Sequence, residues 1–208
     1  MALKTDTDCP APIQFAVVRE DPLLERAVFK LFRPKKALLV ASGGCSALAI
    51  HSWFPDTEIT IVDPNPAQLR LIEDKINALA QQKALGAFNV ENVARDALSQ
   101  CGNFESLFRV FRQVLHDFVL TSAQLESLFE DKAQFVKWRE LLLNSPYWPV
   151  AFEMCFSDSL LKCIFGPEAI QYAEKGSYPI YFQERIESGL LRSDGFENPF
   201  LHHILLGK

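Results

Sequence analysis

The stretch from Ala37 to Val62 constrains this chain more than any other. Ala37-Leu-Leu-Val-Ala41 is an unbroken apolar run between Lys35-Lys36 and Gly43-Gly44, the pattern of a short strand buried on both faces. Ser46 to Trp53 can form a helix, Pro55-Asp56 marks a turn, and Glu58-Ile-Thr-Ile-Val62 is β-branched and strand-like. Strand, helix and strand in that order make one βαβ unit of a parallel sheet.

The flanks extend this unit. Asp21-Pro22 followed by Leu23, Leu24, Ala27, Val28 and Leu31 predicts a helix to about Phe32, ended by Pro34. Asp63-Pro-Asn-Pro66 stops the second strand, and helical periodicity follows from Ala67 to roughly Leu85, with Gly86 as its cap. Phe88 to Val93 reads as an expected third strand, interrupted by Asn89 and Asn92, before Arg95-Asp96-Ala97-Leu98.

Beyond residue 100 the pattern is helical only. Phe104, Leu107, Phe108, Phe111, Val114, Leu115 and Phe118 recur at three and four, so one helix face carries four phenylalanines. Thr121 with Gln124 forms a capping box, and the apolar pattern runs on to Pro146. Pro149 to Phe165, Pro167 to Glu174, Pro179 to Leu191 and a last helix opened by Asn198-Pro199 complete the chain. The expected organisation is an α/β part over 1–100 and a helical region over 101–208.

Composition narrows the function. The chain's 208 residues are 49% apolar and 23% charged, which excludes a disordered or low-complexity chain. A net charge of -5 leaves no basic field to collect nucleic acid. No apolar run approaches the ~20 residues that span a bilayer, and residues 1–12 lack the basic and apolar regions of an export signal, so a cytoplasmic protein is expected. Five scattered cysteines read as reduced thiols rather than a disulfide or zinc framework. His202-His203 is not a metal site, since adjacent helical residues diverge by about 100° and no third ligand has suitable spacing. The Phe104–Phe118 face reads as core rather than as a surface for acyl chains, because it lacks dense Lys/Arg flanks.

The chemistry concentrates where the strands end. Small residues after the first strand let a ligand approach Gly43 and Gly44, and the amides opening the next helix favour polar or anionic groups. Asp63 ends the next strand about twenty residues on, where a carboxylate accepts from both ribose hydroxyls of a bound nucleoside. It also suits the turn and helix cap that follow, and both roles are compatible. Asp96 is placed to accept from an adenine amino group, or to serve as a solvated N-cap. The glycine spacing fits neither G-x-G-x-x-G nor the phosphate-loop motif, which disfavours nicotinamide cofactors and nucleoside triphosphates and leaves S-adenosylmethionine.

Glu20-Asp21-Pro22, Leu39-Val-Ala-Ser-Gly-Gly-Cys-Ser-Ala-Leu48, Val62-Asp-Pro-Asn-Pro-Ala-Gln68, and Asn198-Pro-Phe-Leu201 with Gly207 together resemble the betaine-lipid synthase family. Its members include S-adenosylmethionine:diacylglycerol 3-amino-3-carboxypropyl transferases. The resemblance implies a methyltransferase-like (Rossmann-like) fold, with Gly43 and Gly44 beside the amino acid or ribose, Asp63 on the ribose and Asp96 near adenine. It implies transfer to a lipid or small-molecule hydroxyl, with Glu20 and Asp21 as candidates for the base or for holding the substrate ammonium. A lipid acceptor would bring peripheral contact with the inner membrane surface. The family's sheet of about seven strands is not legible here. The chain therefore corresponds to an N-terminal portion of the pattern or a shortened member, with a partner chain completing the sheet. A methyltransferase and a non-catalytic module of the same fold are the alternatives.

Overall fold

The computed structural model describes residues 11–81 and 95–207. They divide into two units, one of 11–81 with 96–103, the other of 95 with 104–207. The first is mixed α/β and the second helical.

In the first unit, α1 (Leu23–Phe32) opens behind Asp21, whose Oδ1 accepts from the Leu23 amide at 2.9 Å. It closes on Arg33 in the left-handed region, just ahead of Pro34. Strand β1 (Lys36–Val40), α2 (Cys45–Trp53) and β2 (Glu58–Val62) form the βαβ unit, followed by α3 (Pro66–Ala80). The strands pair parallel in register from Lys36↔Glu58 to Val40↔Val62, and the Ala41 amide extends the ladder to the Val62 carbonyl. Pro66 stands in the first turn of α3, and the Asn65 side chain caps it by accepting from the Ala67 amide.

The sheet corrects one expectation. β1 is not buried on both faces: burial alternates along both strands, and Leu38 and Val40 remain 66% and 72% exposed. Ile59 and Ile61 share an apolar cleft of about 570 Å³ with Ala47, Leu48 and His51 of α2 and Ile76, Leu79 and Ala80 of α3. Both helices thus lie toward one face, leaving Leu38, Val40 and Val62 outward. Among the described residues the sheet has these two strands. The expected third strand at Phe88–Val93, the Gly86 cap and the tail of the α3 pattern lie outside the described residues.

The helical unit follows its phenylalanines. In α4 (Asn103–Phe118), Leu107, Phe108, Phe111, Val114 and Leu115 are buried and Phe104 partly so, so the expected face is core as far as Leu115, whereas Phe118 at the helix end is 54% exposed. Phe111 packs on Phe152 at 4.7 Å between ring centroids, Phe152 on Trp148 at 4.8 Å, and Phe156 on Phe182 at 4.4 Å. Such ring pairs add about 0.5–1.5 kcal/mol each beyond their buried area. Trp148 keeps its polar atom satisfied by donating Nε1–H to Glu187 at 2.9 Å.

Two expected long helices are broken at capping residues. The pattern from Thr121 to Pro146 divides into α5 (Ser122–Ser127), which has the predicted capping box, and α6 (Lys132–Leu143), started by Asp131 accepting from the Gln134 amide. Pro149–Phe165 divides into α7 (Tyr147–Phe156) and α8 (Asp158–Phe165), because Ser157 is extended and Asp158 turns its Oδ2 to the Gly176 amide. Pro167–Ile170 is a single 3-10 turn rather than a helix to Glu174. Next comes α9 (Ser177–Leu191), then α10 (Pro199–Leu205), capped by Asn198. The buried Arg112 guanidinium donates to the His203 and Ile204 carbonyls in the last turn of α10. A cation there also complements the helix dipole. Among the described residues, no helix is long and apolar enough to cross a membrane.

Candidate functional site

The ladder brings the two central elements of the predicted site to the same end of neighbouring strands. Residues 42–44 turn sharply after Ala41, while Asp63 is the first residue beyond Val62. The turn closes by a Gly44 amide donating to the Ala41 carbonyl at 2.8 Å. Ser42 has φ +44, a conformation that non-glycine residues rarely hold. Gly44, with φ +81, is the N-cap of α2 and has no side chain to offer, so no side-chain cap satisfies the amides of the first turn.

The glycines are nonetheless shaped by the protein itself. A Cβ on Gly43 would fall 2.6 Å from the Cα of Val17, and one on Gly44 would fall 2.7 Å from Cγ1 of Ile72. Their smallness therefore admits the chain segment 14–17 and α3, not an open approach along the Cβ directions. The carbonyls of the bend are also engaged from α3: Gln68 donates Nε2–H to Ser42 O, and Lys75 donates from its ammonium to Gly43 O.

Gln68 and Lys75 organise this region, and the sequence reading assigned neither a role. Gln68 Oε1 accepts from the Gln14 amide at 2.7 Å and the Phe15 amide at 3.3 Å, while Nε2 also donates to Phe15 O at 2.8 Å. With Ser42 O, the buried amide has used both donors and both acceptor lone pairs. Lys75 is 1% exposed and also donates to Ala16 O. The available signal was a pair of polar residues seven apart, on the buried α3 face that carries Leu71 and Ile72.

Asp63 is half-buried, and its Oδ1 accepts from the Asn65 amide at 2.8 Å. It thus performs the turn role expected of it, and Asn65 in turn donates Nδ2–H to Pro12 O at 2.8 Å. Glu20 and Asp21 are exposed, and the Asp21 carboxylate accepts from the Leu23 amide two residues on, just ahead of α1. Glu20 is three positions from Val17, which packs against the bend, so the connecting backbone spans at most about 11 Å. Asp96 is exposed in a turn, and among the described residues no helix begins directly after it. The segment it belongs to returns to the same N-terminal stretch, where the Asn103 amide donates to Ile13 O at 2.9 Å and its Nδ2 to Gln14 Oε1 at 3.1 Å.

Against known proteins, no family model, no curated protein and no solved structure matches this chain. The apolar cleft between α2, β2 and α3 includes none of the predicted site residues. The constellation at the strand ends offers a carboxylate, a bend under backbone strain and an uncapped helix start, which is chemistry for holding a polar small molecule.

Proposed function

We propose that this chain binds S-adenosylmethionine at the carboxyl ends of β1 and β2 and transfers its 3-amino-3-carboxypropyl group to a lipid or small-molecule hydroxyl, on a Rossmann-like α/β framework. The supporting observation is the parallel register carried through Ala41 and Val62, which launches the Ser42–Gly44 bend and Asp63 from adjacent strand ends. The uncapped start of α2 suits the carboxylate of the amino acid arm, and Asp63 suits the ribose. In the transfer, the acceptor oxygen attacks the γ-carbon, the carbon–sulfur bond breaks, and methylthioadenosine leaves as a neutral thioether. The hydroxyl proton passes to a base, for which Glu20 or Asp21 is the candidate. Selection of this carbon over the methyl is a matter of in-line orientation.

A second reading is favoured by a specific observation. Because Val17 fills the Cβ side of Gly43, the same fold also suits a non-catalytic module in which the bend is only a packing device. Calorimetry with S-adenosylmethionine on the wild-type chain and on Asp63→Ala separates the two. Micromolar binding that weakens at least tenfold in a folded variant supports the transferase, and no heat from the wild type removes it. Where binding occurs, methylthioadenosine as product marks aminocarboxypropyl transfer, and S-adenosylhomocysteine marks a methyltransferase instead.

A further inference from the structure

Helix α1 is amphipathic, yet its apolar side faces outward. At 100° per residue, Leu23, Leu24, Ala27, Val28, Leu31 and Phe32 fall within one half of its circumference, and all six are exposed. Leu24, Leu31 and Phe32 are 73%, 76% and 71% exposed. The opposite side makes the intramolecular contacts: Phe29 packs on Phe54 at 5.5 Å, and the Arg26 guanidinium lies 4.8 Å over the Trp53 ring. A continuous apolar half-cylinder on a short helix marks an interaction surface.

Its charges select the partner. Glu20 and Asp21 stand exposed at the N-terminal end, and Lys30, Arg33 and Lys35 stand exposed at the C-terminal end. An anionic lipid surface would attract one end and repel the other. A second copy related by a two-fold axis across α1 runs antiparallel, so each acidic end meets a basic end while the two apolar arcs close on each other. That face is self-complementary, as a two-fold interface requires.

We propose that α1 pairs with α1 of a second copy in an antiparallel, two-fold dimer. A ten-residue helix offers less than the ~800 Å² per partner of a standard stable interface, so the dimer is weak and concentration-dependent. Sedimentation equilibrium of the whole chain across the micromolar range should show a reversible monomer–dimer equilibrium. Leu31→Ser with Phe32→Ser should raise the dissociation constant by about a hundredfold or more, from the apolar burial lost on both sides. Leu24→Lys serves as a second variant on the same face, with circular dichroism to confirm folding of each. Glu20→Lys or Lys35→Glu alone should weaken association about two- to fivefold, and the two together should restore it. Three results overturn the proposal: a monomer at every concentration, folded variants that associate as the wild type does, or wild-type monomer that sediments with phosphatidylglycerol vesicles.

Discussion

Replacing Gly43 with alanine tests whether the bend after β1 is a packing device in its own right. The added Cβ would lie 2.6–2.7 Å from three backbone atoms of Val17, against the 3.4 Å at which ordinary contact begins. Val17 must therefore retreat by about 0.8 Å. It is not free to swing as a side-chain tip would, because its neighbours are fastened by Gln68 at residues 14 and 15 and by Lys75 at Ala16. Overpacking of this kind costs about 1–3 kcal/mol, and the fixed backbone argues for about 2. Gly176→Ala is the matching control: nothing lies within 4 Å of its Cβ position, but φ is +74, so only the left-handed conformation is penalised, by about 1 kcal/mol. Native-state amide exchange on ligand-free protein reads both. Gly43→Ala should accelerate exchange across β1 and β2 by about thirtyfold, the equivalent of 2 kcal/mol, and leave α9 alone. Gly176→Ala should act by about fivefold near the start of α9. If Gly43→Ala leaves the β1 and β2 amides within twofold of wild type, segment 14–17 does not hold the bend and its smallness must serve something else.

Three further outcomes follow from the packing and charge environments. Phe111→Ala should lower stability by about 3–5 kcal/mol in urea unfolding, because the ring is fully buried among Trp148, Phe152 and Phe156; a loss below about 1 kcal/mol would contradict that placement. Burial pushes the Cys155 thiol up to about 11, so a thiol reagent at neutral pH should label exposed Cys163 quickly and Cys155 only on unfolding, as peptide mass mapping would show. His116 is held below its ordinary 6.5 by burial first and by the Arg112 charge second, so the folded chain resists its protonation. Its contribution is fully present above pH 6.5 and is lost as pH falls through the lowered folded value. On acidification the urea midpoint of wild type should therefore fall relative to that of His116→Gln, and parallel pH profiles would refute the assignment.

What the sequence disclosed and what it hid follow from the range over which each signal acts. Local signals were legible: the β-branched run Glu58–Val62, the Asn65-Pro66 and Asn198-Pro199 helix starts and the Thr121/Gln124 box depend on neighbours within a turn, and each forms where its chemistry demands. The phenylalanine stripe of α4 was legible because a 3.6-residue period commits a face to burial whatever it meets. The same logic misjudged β1, while α1 forms over Leu23–Phe32 as its spacing predicts but with its apolar face outward. An apolar residue reports a preference to be buried, not what covers it, and Leu38, Val40, Leu24 and Leu31 remain exposed. What packs into the bend was hidden for the opposite reason. Gly43 reads alone as an opening for a ligand, but the need for glycine is set from a segment about 26 residues upstream and held by two polar side chains about 30 residues downstream. A glycine's meaning lies in what approaches it, and chain approach and ligand approach leave the same letter in the sequence. Only loss of binding without loss of ligand-free stability, at Asp63 rather than at Gly43, can therefore assign this bend to chemistry.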